Sequence, residues 1–177
     1  GITENFVQIV GSRFTWLFVN LLTAILASVV IGFFDATIEQ QVALAILMPI
    51  VASMGGNAGT QTMTVAVRAL ATRDLTAVNA LRVVGRELAV GLINGFLFAL
   101  LLAAAVLIWF GSTELGIIIA LAMVVNMFAA AMAGIFVPLM LDKLGIDPAI
   151  ASSVFVTTVT DVIGFFAFLG LASLWFL

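Results

Sequence analysis

Residues 49–62 read PIVASMGGNAGTQT, which places one proline, three glycines, an asparagine, a glutamine, a serine and two threonines within one short run. They interrupt a chain that is 64% hydrophobic and only 8% charged, against roughly 25% charged in an average soluble domain. With a mean hydropathy of +1.34, the chain is composed for a bilayer, where every unsatisfied backbone amide is expensive. Helix breakers in such a place need a physical reason. Pro49 has no amide and releases the carbonyl of Ala45, while Gly55, Gly56 and Gly59 permit a kink, an unwound turn or a very close backbone approach. Irregular backbone survives at membrane depth only where protein buries it or water reaches it. With Asn57, Thr60, Gln61 and Thr64 beside it, the segment reads as a ladder of oxygen ligands facing a wet path. The Gly55–Gly59 spacing also suits a close helix–helix contact, and the two readings are compatible.

Outward from this stretch, windows of about 20 apolar residues recur five times: Phe14–Phe34, Val42–Ala66, Leu88–Phe110, Leu115–Met140 and Ile150–Leu177. The expected fold is therefore all-α, a single transmembrane domain over 1–177 with five membrane-spanning helices. The basic residues, Arg13, Arg68, Arg73, Arg82, Arg86 and Lys143, all fall in the N-terminal flank, the 2–3 connection or the 4–5 connection. Asp35, Glu39 and Glu114 mark the other two connections, which carry no basic residue. The positive-inside rule then puts the N-terminus inside and the C-terminus outside. An odd number of spans cannot divide into equal inverted halves, so a symmetric pathway needs a second copy. In the 2–3 connection Leu75, Val78, Leu81 and Leu88 recur at helical spacing with Arg82 and Arg86 one turn apart, which predicts an amphipathic cytoplasmic helix. It serves either as a positive-inside anchor or as a coupling surface for a cytosolic regulatory domain. The N-terminus has neither an initiating Met nor the pattern of a signal peptide, as expected of a membrane domain taken from a longer protein.

The absence of Cys and His removes disulfides, thiolate and imidazole metal sites and serine–histidine chemistry, so any metal must be bound by oxygen. No basic tract points to nucleic acid. Asp161 is the one acidic residue deep within a span. Counted from Ile150 at about 1.5 Å per residue it lies roughly 16 Å deep, near the middle of a core about 30 Å thick. A carboxylate there is a functional residue by default. Ser153, Thr157, Thr160 and Gly164 share a predicted stripe with it, as a pore wall would require. Asn94 and Asn126, beside small-residue seams in spans 3 and 4, are expected to make interhelical hydrogen bonds.

The run PIVASMGGNAGTQT, the following RAL (68–70), RELAVGLINGF (86–96) and TVTDVIGFF (158–166) together resemble the transmembrane domain of the MgtE family of magnesium channels. The resemblance extends over essentially all five spans. It implies a homodimer in the cell (inner) membrane, with a pore along the dimer axis lined by spans 2 and 5 and Asp161 of both chains as the main ion site. Family members commonly carry a cytosolic N-terminal domain and paired CBS modules that sense magnesium. Neither is in this sequence, which fits a membrane domain apart from its regulatory partner; animal relatives lack those domains too.

The chemistry of the residues points the same way. Two Asp161 carboxylates across a two-fold axis repel each other, and a divalent cation compensates them. Mg²⁺ parts with its water reluctantly, so few carboxylates plus neutral oxygens suit a hydrated Mg²⁺ as transported ion and ligand, whereas Ca²⁺ asks for more direct ligands. The candidate ion ligands are Asp161, Thr157, Asn57, Gly55, Gly56, Gly59, Thr60 and Gln61. Span 2 is expected to offer backbone carbonyls freed around Pro49 and Gly55–Gly59, so that Gly56→Ala would impair transport through geometry. The readings in competition are a proton- or Na⁺-coupled transporter with Asp161 as relay, an intramembrane aspartyl protease assembled from two copies, and a structural anchor. The expectation is a magnesium-selective channel, not an enzyme.

Overall fold

The computed structural model describes residues 5–73 and 79–177. Among them the chain forms α1 (Phe6–Gly32), α2 (Asp35–Gln40), α3 (Ala43–Ala71), α4 (Ala80–Phe110), α5 (Thr113–Lys143) and α6 (Pro148–Phe176). The five long helices are each apolar and long enough to cross a membrane, and they are the five spans expected. They outrun the hydropathy windows: α1 starts at Phe6 instead of Phe14, and α4 at Ala80 instead of Leu88. A helix of 31 residues such as α4 measures roughly 46 Å, so its ends stand beyond a hydrocarbon core of about 30 Å. Local chemistry fixes the ends. Asn5, Ser112 and Asp147 cap α1, α5 and α6 by accepting from the amides of Gln8, Leu115 and Ala149. Pro148 opens α6, where its missing amide is harmless. Gly111 closes α4 at φ 65°, a conformation glycine adopts without strain.

The connections are only partly described, and one of them carries structure of its own. The 1–2 connection contains α2, whose Asp35 carboxylate accepts from the Ala36 amide at 2.7 Å and whose Thr37 is buried. Of the stripe expected before span 3, Leu81 is 84% exposed on the first turn of α4 and Leu88 is half-buried, while Leu75 and Val78 lie outside the described residues.

Lipid tails are as apolar as leucine, so helices in a membrane associate by close packing instead of by escape from water. The sequence supplies the small residues this needs. Centrally placed, α5 packs against α3, α4 and α6, while α1 lies against α6. A Cβ built on Gly91 of α4 would come within 2.8 Å of the Ala131 Cβ, and one on Gly95 within 3.0 Å of the Met127 Cβ. One end of the bundle is filled by Leu44, Leu47, Val51, Ile118, Ile119, Phe165, Phe168 and Leu169.

The main correction concerns span 2. No turn unwinds: α3 is regular helix from Ala43 to Ala71, straight through Pro49 and all three glycines. Of the options the sequence left open, the unwound turn is absent and the close backbone approach is realised.

Candidate functional site

Because α3 stays helical, its motif divides between two faces. Leu44, Leu47, Val51, Gly55, Gly59, Thr62 and Ala66 recur at three and four residues and are buried. On the other side Ser53, Asn57, Thr60, Gln61 and Thr64 are exposed. The glycines of the buried face let α3 approach its neighbours. A Cβ on Gly55 would lie 2.5 Å from Asn126 Oδ1, and one on Gly59 would lie 2.6 Å from the Val156 Cγ1. Gly55 and Gly59 are thus packing residues here, and the structure does not bring them to the polar face with Asn57. Gly56 is different, since a Cβ there meets nothing within 4 Å. Within one copy, the steric obstacle to an added methyl therefore lies at Gly55 and Gly59 and not at Gly56.

The carbonyls of the motif are not freed either, with the exception of the Ala45 oxygen opposite Pro49. The Gly56 carbonyl also accepts from the Thr60 hydroxyl at 2.8 Å, and the Thr60 carbonyl from that of Thr64 at 2.8 Å. Asn57 donates to the Ser53 hydroxyl at 3.3 Å, and its own amide oxygen is left as an acceptor. What the face offers an ion is side-chain oxygen: neutral, outward and spread over three turns.

On α6 the expected five-residue stripe also splits. Thr160 and Gly164 are buried, Ser153 is exposed, and Thr157 and Asp161 are half-buried one turn apart. Asp161 is one residue from the midpoint of α6, roughly 20 Å from either end. A charged Asp at the centre of a spanning helix costs about 3 kcal/mol on insertion scales. The basic residues are far from it along their helices: Arg13, Arg68, Arg82, Arg86 and Lys143 stand within about two turns of a helix end. Among the described residues Asp161 has no hydrogen bond or ion pair within the chain, and no three acidic side chains gather into a metal cage.

The two helices are antiparallel, with Val51 against Gly164 and Gly59 against Val156. In this register Asn57 stands level with Thr157 and Thr158, and Asp161 with Ser53–Gly55. The two polar stripes thus lie at the same depths on adjoining helices. Below Asp161, Thr157 and Ser153 open into a cleft of about 550 Å³ whose opposite wall is Ser12, Arg13, Trp16, Leu17 and Asn20 of α1. Sequence reasoning missed this wall, although Ser12, Trp16 and Asn20 repeat every four residues.

It also undervalued Asn126. The expected interhelical hydrogen bond is present, from Asn126 Nδ2 to the Val51 carbonyl at 2.8 Å, and Asn126 is fully buried on α5. Its Oδ1 has no donor among the described residues. Such bonds average about 0.6 kcal/mol in membrane proteins, less than the roughly 1–3 kcal/mol that an unsatisfied buried polar group costs. Asn94 of α4 is half-buried.

Similarity to known proteins adds to this geometry. A family model described as MgtE, divalent cation transporter, matches residues 48–171. Three curated proteins named magnesium transporter MgtE are similar to the chain. The one from Thermus thermophilus is 36% identical over 163 residues, covering 92% of this chain and 36% of its own length. That from Bacillus subtilis is 32% identical over 161 residues, covering 91% and 36%, and that from Enterococcus faecalis 32% identical over 173 residues, covering 98% and 38%. The chain spans a little over a third of the length of these relatives.

Proposed function

The chain belongs to the MgtE family of divalent cation transporters, and from that premise we propose that it is the membrane domain of a magnesium channel, conducting hydrated Mg²⁺ into the cell through a pore at a homodimer axis. Transport, not enzymatic catalysis, is the work of the family, and the three similar proteins are named for magnesium. The observation that carries the reading is Asp161, a half-buried carboxylate at the middle of a spanning helix with no intrachain partner among the described residues. Lipid cannot satisfy it, so water, an ion or a second copy of the chain does.

In this mechanism two copies turn the α3 and α6 stripes toward a shared axis. Two carboxylates balance one divalent charge, and a site with only two of them leaves Mg²⁺ most of its water. The Asp161 pair attracts the ion at mid-depth. Thr157 on one helix and Asn57, Thr60 and Gln61 on the other line the path with neutral groups that hold the hydration shell weakly enough to release it, as conduction requires. With the N-terminus inside, Thr157 and the α1 cleft lie toward the cytoplasm. Arg82 and Arg86, exposed at the start of α4, form the surface on which a cytosolic regulatory domain would act.

Mg²⁺ uptake into proteoliposomes, with a voltage clamp, tests the reading. Asp161-dependent current that reverses at the Mg²⁺ equilibrium potential supports a channel. A reversal potential that moves with an imposed pH or Na⁺ gradient would replace it with a coupled transporter that uses Asp161 as relay.

A further inference from the structure

We propose that Asn126 is a positioning residue for ion conduction: from outside the path, it sets the α3 face that bears Asn57 in register with the α6 face that bears Asp161. The inference rests on the proposed ion path and adds a residue that touches none of it. Three helices meet at this side chain. The amide nitrogen holds the Val51 carbonyl of α3 at 2.8 Å. The amide oxygen lies between two glycines, where a Cβ on Gly55 would approach it to 2.5 Å and one on Gly164 to 2.9 Å. In place of those Cβ atoms each glycine directs a Cα–H at Oδ1, a weak donor that two helices share. Gly55 precedes Asn57 by two residues, and Gly164 follows Asp161 by three. A shift or rotation of either helix at Asn126 is therefore passed to an ion-facing side chain within one turn.

The energetics say why stability alone does not explain an amide here. One interhelical hydrogen bond in a membrane contributes little, and an oxygen left with only C–H donors is penalised. A leucine has the same branching and number of side-chain heavy atoms and brings no unmatched polar atom, at the cost of two methyls bulkier than the flat amide. What leucine lacks is direction: it permits α3 and α6 to slide past α5, whereas the amide fixes one height and one rotation for both.

The test compares wild type, Asp161→Asn, Asn126→Leu and the double variant Asn126→Ala/Gly55→Ala, in which the added methyl enters the vacated space. Each is purified, its melting temperature is measured, and Mg²⁺ uptake into proteoliposomes is followed against Mg²⁺ concentration. The expected result for both Asn126 variants is a folded, monodisperse protein with a cooperative melting transition, and a half-saturating Mg²⁺ concentration raised about fivefold or more. Asp161-dependent uptake with unchanged half-saturation in Asn126→Leu overturns the positioning role alone. If neither Asn126 variant folds, the residue is structural and the proposal falls. Uptake that persists undiminished in Asp161→Asn overturns the ion path and this inference with it.

Discussion

Gly134 of α5 and Gly59 of α3 meet with no side chain between their backbones: a Cβ on Gly134 would come within 2.9 Å of the Gly59 carbonyl oxygen and 2.7 Å of the Thr62 Cβ. Neither obstacle is the loose end of a flexible chain. Gly134→Ala should therefore destabilise the domain by about 1–3 kcal/mol, the usual range for overpacking, and Gly59→Ala, facing the branched Val156, should behave similarly. Gly56→Ala, with open space around it, should melt with the wild type. Thermal unfolding in detergent followed by loss of the monodisperse elution peak ranks the three, and a Gly56 variant less stable than the Gly134 variant would show that the faces of α3 have been misassigned.

Asp161→Asn should reduce Mg²⁺ uptake by more than about tenfold while the protein folds and elutes normally, because the amide keeps the volume and removes the charge that offsets ion desolvation. Undiminished uptake in proteoliposomes of matched protein content would remove Asp161 from the path.

Asn57→Ala should weaken Mg²⁺ binding less than loss of the carboxylate does. A neutral hydrogen-bond partner contributes roughly 1 kcal/mol, or about fivefold in affinity, against about 1.5–3 kcal/mol for a charged one. Calorimetry on the purified variants gives the order directly. A larger loss at Asn57 than at Asp161 would place the main ion site on α3.

A homodimer should be captured in lipid. Each chain contributes one mid-membrane carboxylate and one exposed polar face on α3, so one copy walls the path on a single side. The chain has no cysteine, so a single Cys introduced at exposed Ser53 reports on the partner without background. Exclusive monomer under cross-linking, with uptake retained, rules the dimer pore out.

Five spans were legible in the sequence because hydropathy over about 20 residues measures what the bilayer demands. Asp161 was legible for the same reason, as a charge where charge is expensive. The state of the GGNAG run was not. Glycine and proline lower the penalty of leaving the helix without dictating that the chain leave it, and the partners that decide lie distant in sequence: Asn126 opposite Gly55, Val156 opposite Gly59, Gly134 against the Gly59 carbonyl. The division of the α6 stripe failed for a related reason. Thr160 and Asp161 are neighbours on one helix, but the rotation that buries the first and half-opens the second is set by α3 and α5. Short α2 escaped notice because six residues are too few for a period to appear.

The contrast between α1 and α5 carries a consequence for how freely each can drift. Ala27 is the buried residue of α1 among those described, so away from the cleft wall and the contact with α6 that helix is constrained by oiliness alone, and exchanges among Leu, Ile, Val and Phe at its exposed positions should pass unnoticed. Buried on sixteen positions, α5 is constrained by volume, methylene by methylene. A library randomised within the apolar alphabet should therefore retain function at the exposed apolar positions of α1 outside the cleft wall and lose it across α5, although by composition the two helices are equally greasy.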